Sequence, residues 1–390
     1  MSKNPKVGIW FIATALTFFA RALLFATWQS RSPEVKEYLE LTTAQMGLVV
    51  MLFPLGGLIG IFFANGMHRR FGAGALTIAS FTIGSLSMVG LAFSIPAGDL
   101  WISCLLILAM GLPMALMDFI SNYEGTEVDK QAKRSLLPII HSTFGVGMMV
   151  AAGLSGWMLG NNLSLTFNYI LIAAIVLGSA VWAGFNLPKR QLFQLDTEKV
   201  RENKAVARSV WREPRTLVVA LIGLSFIIAE LSAGTWLPIA LENAGFTPAD
   251  AANAFGLFWV VITATRVLGG FVVDFLGRFR TILLSTLVTS SGIAVFIFDS
   301  VLAQPYLGIV LWGAGLALGF PMAGNALSDD PARSPARINL MITLVYFSSV
   351  SVGPALGALG QEFGLYVAFT VPLVLMLGSA ILSPATKRAN

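Results

Sequence analysis

Twelve apolar stretches, each long enough to cross a bilayer as a helix, occupy most of this 390-residue chain. They fall at 7–28, 43–65, 74–95, 99–121, 136–159, 165–187, 216–239, 249–272, 279–298, 302–326, 337–360 and 363–383. The runs are continuous rather than alternating, and each is about twice the length of a barrel strand, so the spans read as helices. Of 25 Lys and Arg, 21 lie in the termini and even-numbered connections, counting Arg280 and Arg337 at the starts of the spans that follow. Arg31 and Lys36 stand in the first odd-numbered connection, and Arg21 and Arg266 lie inside apolar stretches. Membrane proteins retain Lys and Arg on the cytoplasmic side. An even number of spans then places both termini in the cytoplasm of a multi-pass protein of the bacterial inner membrane.

Only 12% of residues are charged and the mean hydropathy is +0.78, against about 25% charged in soluble domains. The pI of 9.4 does not indicate nucleic acid, because the basic residues are spread over short loops facing anionic lipid. Cys104 is the lone cysteine and lies in an apolar span, which excludes an internal disulfide or a thiolate metal site. No spacing suggests a metal, a cofactor or a catalytic Ser/His/Asp set, so an enzyme is not expected. The first apolar run is too long for a signal-peptide core and reads as a retained helix.

The longest polar stretch, 188–215, reads as a cytoplasmic linker. It divides the chain into a first six-helix bundle at 1–187 and a second at 216–390. The two halves share features. Phe25-Ala-Thr-Trp28 matches Ala233-Gly-Thr-Trp236, and Thr42-Thr-Ala-Gln45 matches Thr247-Pro-Ala-Asp250 as a helix cap. Each capped helix ends in a basic turn, at His68-Arg69-Arg70-Phe71-Gly72 and at Asp274-Phe-Leu-Gly277-Arg278-Phe-Arg280. Duplicated helical halves are a secondary-transporter arrangement.

Gly270-Phe-Val-Val-Asp274-Phe-Leu-Gly277-Arg278-Phe-Arg280 resembles the signature loop of the major facilitator superfamily. The first-half copy has Arg69 where the acid belongs. Trp28-Gln-Ser-Arg31-Ser-Pro33, Asn122-Tyr-Glu124-Gly125-Thr-Glu127, Leu137-Pro138-Ile-Ile-His141, Glu230 with Trp236-Leu-Pro238, Gly319-Phe-Pro321 and Gly353-Pro354 resemble the YbjJ-type branch of bacterial inner-membrane facilitators. Thr235 departs from the Asp or Asn often found before the tryptophan. The resemblance implies an all-α membrane protein of twelve helices in two pseudo-symmetric six-helix bundles, related to sugar–proton symporters.

The candidate site residues follow from charge placement. Arg21, Asp118, Glu230 and Arg266 lie within spans, where an unpaired charge costs about 2.5–3.5 kcal/mol on insertion scales. Glu230 reads as a proton-coupling carboxylate or as a permanently paired structural one. Arg21 is at matching depth, and either pairs with Glu230 or clamps an anionic or hydroxylated solute. Asp118 and Asn122 share a helical face, and with His141 they form a candidate proton relay or, in the plainer reading, helix-end hydrogen bonds. Trp28, Trp236, Asn325 and Tyr346 are candidate solute contacts, with interfacial anchoring as the alternative for the aromatics. Gly270 is expected to allow close helix approach. Asp274 is expected to accept from Arg278 or a helix N-terminus, and with Gly277, Arg266, Arg69 and Arg70 these residues form a conformational latch.

The expected protein is a monomeric, proton-coupled carrier of a small polar or amphiphilic solute, including sugar-like ones, with lipid as its surroundings and no cofactor. Efflux of drugs or metabolites, and more distantly a membrane sensor or scaffold, are the competing readings.

Overall fold

Apolar runs of this length satisfy their own backbone only as helices, because lipid offers no hydrogen-bond partners. The computed structural model describes residues 6–132, 136–188, 208–298 and 305–388. Its helices are α1 (Val7–Ser30), α2 (Ser32–Tyr38), α3 (Thr43–Ser94), α4 (Leu100–Ala132), α5 (Leu137–Gly160), α6 (Leu165–Asn186), α7 (Pro214–Asn243), α8 (Pro248–Ile297), α9 (Pro305–Leu327), α10 (Ser334–Phe363), α11 (Leu365–Ala368) and α12 (Thr370–Leu382). Among the described residues, ten helical segments are long and apolar enough to cross a membrane, and no strand occurs. Most of the proposed linker, 189–207, lies outside the described residues.

Ten segments supply twelve crossings because α3 and α8 have double length, 52 and 50 residues. The sequence suggested a separate turn between the two spans of each. In the structure the two helices of each meet across a kink at a single non-helical glycine. Gly72 has φ 77°, ψ 165° and Gly277 has φ 71°, ψ 163°, a region open almost only to glycine. The same backbone break therefore recurs at matching points of the two signature segments. The caps recur as well. Thr42 Oγ1 accepts from the Gln45 amide at 3.2 Å while Gln45 Oε1 accepts from the Thr42 amide at 2.9 Å. Thr247 Oγ1 accepts from the Asp250 amide at 3.1 Å and donates to Asp250 Oδ2 at 2.7 Å.

The chain forms two compact units. The first is Met1–Phe193 with Leu237–Val260, and the second is Gln194–Trp236 with Val261–Asn390. In the first unit α3 meets α4 along small residues: a Cβ on Gly56 would come within 2.1 Å of the Leu108 carbonyl oxygen, and one on Gly60 within 2.2 Å of that of Leu112. This is the small-xxx-small contact by which membrane helices approach closely. The end of α7 and the start of α8 belong to this unit through α5: a Cβ on Gly156 would meet Asn253, and Phe144 lies edge-on to Trp259 at 6.2 Å.

Arg31, one of the two basic residues in the first odd-numbered connection, is fully buried where α1 turns into α2. Its Nε donates to Asn168 Oδ1 at 3.0 Å, one terminal nitrogen to Glu34 Oε2 at 2.7 Å and the other to the Leu163 carbonyl at 3.1 Å. It fastens the α1–α2 corner to the α5–α6 connection. Removing one partner of such a pair leaves the other charge uncompensated. Arg31→Ala should therefore destabilise the protein by about 3 kcal/mol, the lower end of the range because Glu34 keeps some solvent contact. Thermal unfolding in detergent measures this. Gly277→Ala tests the backbone break alone, because a Cβ there has nothing within 4 Å. It should cost about 1–3 kcal/mol from conformation only, read by the same unfolding measurement.

Candidate functional site

Each unit contains one arginine–carboxylate pair deep in its helices. In the first, Arg21 of α1 donates through a terminal nitrogen to Asp118 Oδ1 of α4. At 1.5 Å per residue, Arg21 lies about 21 Å along α1 and Asp118 about 27 Å along α4. Asn122 donates to the Asp118 carboxylate at 3.3 Å and to its backbone carbonyl at 2.8 Å. The Arg21 guanidinium lies 5.1 Å from the Phe18 ring centre and 4.9 Å from that of Phe144, a cation–π cage that holds it in place. His141 packs against Phe18 at 4.6 Å between ring centres, so it shares an aromatic neighbour with Arg21. The Asp118 side chain is 40% exposed while that of Arg21 is 14% exposed. The acid is thus the accessible member of the pair.

In the second unit, Arg266 of α8 donates to Glu230 Oε2 of α7 at 3.1 Å and to the Ala317 carbonyl at 3.3 Å. Glu230 lies about 24 Å along α7 and Arg266 about 27 Å along α8. Two expectations are corrected here. The partner of Arg21 is Asp118, not Glu230. Arg266, expected in the latch, has Glu230 as its partner, because its guanidinium turns to the deep carboxylate of the neighbouring helix. The first helix of each half carries one charge at matching depth, with the sign reversed.

The signature arginine has a partner that the sequence reading missed. Arg278 makes a two-pronged contact with Asp329, at 2.6 and 2.9 Å, and its Nε donates to the Thr386 carbonyl at 2.7 Å. Arg215 also donates to Asp329, at 2.6 Å, and to the carbonyls of Ala385 and Lys387 at 3.0 and 2.9 Å. Asp329 thus joins the start of α7, the break in α8, the end of α9 and the C-terminal segment. The Arg278 hydrogen bonds, followed by those of Arg215 and against partial burial, hold its carboxyl down at about 2. Nearby, burial raises Glu213, but hydrogen bonds from Thr216, Arg337 and Arg333 outweigh this and leave it at about 2.

The remaining expected latch and contact residues divide as follows. Asp274 is exposed and has no partner among the described residues, so Arg278 is held by Asp329 instead. Nothing lies within 4 Å of a Cβ built on Gly270, so close helix approach is not its role here. Arg69 and Arg70 are exposed, with Arg70 lying over Phe71 at 5.3 Å. Asn325 accepts from Arg278 at 3.3 Å and so belongs to the Asp329 cluster, not beside the deep pairs. Trp28 and Trp236 are buried in packing and present no open aromatic face, while Tyr346 is half-buried.

The model of the Major Facilitator Superfamily matches residues 10–354. The chain belongs to the major facilitator superfamily. It is 24% identical over 97% of its length to an uncharacterised MFS-type transporter of Yersinia pestis, covering 96% of that protein. Among solved structures it resembles the nucleoside transporter NupG (D323A mutant) with a TM-score of 0.78 at 14% identity, covering 97% of this chain and 99% of that one. It also resembles a D-xylose–proton symporter with a TM-score of 0.78 at 15% identity, covering 98% of each. At these identities the likeness shows the fold.

In this facilitator the acid that answers the signature arginine is thus Asp329, just past the end of α9. A signal was present in the sequence: Asp329-Asp330 is an acidic step in an otherwise basic connection. A carboxyl held below its ordinary 3.8 contributes stability that is present above that value and is lost as pH falls from about 4 towards 2. Asp329→Asn should lower the unfolding temperature at neutral pH by an amount worth about 1–2 kcal/mol, since the cluster is partly exposed. It should also remove part of the acid-side loss, as a pH series of thermal unfolding would show.

Proposed function

We propose that this facilitator is a secondary active transporter that moves a small polar or amphiphilic solute across the bacterial inner membrane by alternating access, coupled to protons. The observation that carries this reading is the pair of deep, partly exposed carboxylates, Asp118 and Glu230, each held by one arginine. A charged side chain at that depth is costly and is retained where a solute or ion path uses it. Protonation of Asp118 cancels its charge and loosens its hold on Arg21. The guanidinium then has donors to offer to hydroxyl or anionic groups of a solute. Asn122 lies on the same carboxylate, and Phe18 and Phe144 present apolar faces beside it. Glu230 and Arg266 provide the equivalent exchange in the second unit, and Tyr346 is a further solute contact.

This reading is supported by two of the structural neighbours, a nucleoside transporter and a D-xylose–proton symporter. Sugars and nucleosides carry several hydroxyls on a compact frame, which suits an arginine flanked by aromatic rings. The charge alternation supports cytoplasmic termini, and the protein acts as a monomer.

Thermal-shift screening of a metabolite library on purified protein identifies the solute, because a ligand stabilises the state it binds. In proteoliposomes a pH difference of one unit can sustain about tenfold accumulation at one proton per solute. Asp118→Asn and Glu230→Gln should each bring the accumulation ratio to about one while preserving counterflow exchange. Accumulation at the wild-type level in both variants would remove these carboxylates from the coupling path.

A further inference from the structure

The most deeply buried carboxylate described in the first unit belongs to neither arginine pair. Glu124 of α4 is 1% exposed. Its Oε2 accepts from the Trp10 indole N–H of α1 at 2.8 Å, and its Oε1 lies 3.5 Å from Nε2 of His68 on α3, itself 3% exposed. No lysine or arginine among the described residues is paired with this carboxylate. His68 is enclosed by the rings of Tyr123 at 4.9 Å and Phe119 at 5.8 Å.

We propose that Glu124 and His68 together form a proton-binding site of the first unit, separate from the Arg21–Asp118 pair, that fastens the start of α1, the part of α3 just before its break at Gly72 and the last third of α4. The argument is charge counting in a site that excludes water. With one proton shared between them, the two groups are either imidazolium and carboxylate or imidazole and carboxylic acid. Both arrangements are neutral overall. With no shared proton, a buried anion remains that is answered only by neutral donors, the Trp10 N–H and the single N–H of the neutral imidazole. With two protons, a buried cation remains. Each of these carries the penalty of an uncompensated buried charge. The one-proton state is therefore the one that this packing selects.

The surrounding elements leave the pair to set its own charge. On α4 the other titratable neighbours are Tyr123 and Glu127. On α3 the two arginines after His68, Arg69 and Arg70, are exposed. On α1 the polar contacts at this end are Trp10 and the Thr17–Ser121 hydroxyl bond of 2.8 Å, with Lys6 just before the helix. From α5, Leu137 and Ile140 close on Gly125, and both are apolar. Trp10, His68 and Glu124 come from three different helices, so the shared proton is a condition of their convergence. Separation of α3 from α4 at this point exposes the pair to water and lets the proton leave.

The test needs no solute, so its outcome is independent of the transport reading. The chain has two histidines, and a His141→Gln background assigns the remaining imidazole signal to His68. In that background, the His68 midpoint followed by NMR should fall by about one pH unit or more on Glu124→Gln, because the imidazolium loses its counter-charge. Glu124→Asp, which keeps the carboxylate but withdraws it by one methylene, should give an intermediate midpoint and serves if the glutamine variant does not fold. Thermal unfolding is the second measurement. The shared proton is held in the folded state after an unfolded histidine has lost its own. The stabilisation it provides is therefore lost as pH rises. The difference in unfolding temperature between wild type and Glu124→Gln should narrow from about pH 5 to pH 9. A His68 midpoint unchanged in the variants, or a pH-independent temperature difference, overturns the proposal.

Discussion

A charge placed within a bilayer must be answered inside its own protein, and the architecture of this facilitator is arranged around that requirement. Arg21 and Asp118 answer each other in the first unit, as do Glu230 and Arg266 in the second. Neither pair is sealed, because Asp118 and Glu230 keep part of their surface accessible. At Arg31 the guanidinium itself is wholly enclosed and is also bound by Asn168 and Leu163, which makes a structural joint, whereas Arg21 and Arg266 keep part of their surface accessible. Under the proposed function, the distinction between a joint and an exchangeable pair lies in the burial of the arginine rather than in residue type.

The same distinction separates what could be read in the sequence from what could not. Span positions followed from hydropathy, and the caps at Thr42 and Thr247 followed from local side-chain chemistry within four residues. Membership of the family followed from the signature segment, whose glycine serves a local backbone need at Gly277. Partnerships were another matter. One residue turns an α-helix by about 100°, so matching depth between Arg21 and Glu230 does not determine which faces meet. Pairing with Glu230 is one of the two relations the sequence allows for Arg21, and the structure gives it Asp118 instead. Arg266 reads as a latch residue because it lies two helical turns before Asp274 and faces a similar direction. Its actual partner comes from α7, a relation that no spacing encodes.

Asp329 and Glu124 were missed for opposite reasons. Asp329 sits in a short connection where a polar residue raises no question, and its importance appears only once Arg278 and Arg215 converge on it. Glu124 lies near the end of a long helix, where it passes for an ordinary helix-end residue. Its burial depends on Trp10 and His68 arriving from two other helices. Arg31 is instructive in the other direction. It breaks the charge alternation by sequence, yet at its turn between α1 and α2 the protein encloses it completely, so it is not available to anionic lipid.

The glycine breaks in α3 and α8 also bear on how the protein is made. A kink made at one non-helical residue leaves little loop between two successive crossings. Such crossings are best suited to enter the membrane as a single hairpin, since neither has slack to wait for the other. Arg69 and Arg70, which belong to the charge alternation read in the sequence, lie in the helix directly before Gly72. Backbone hydrogen bonding and topological signal are therefore carried by the same few residues. An inserted tag or loop at either glycine would disturb insertion and folding together, which marks these points as the least permissive in the chain for fusion or permutation.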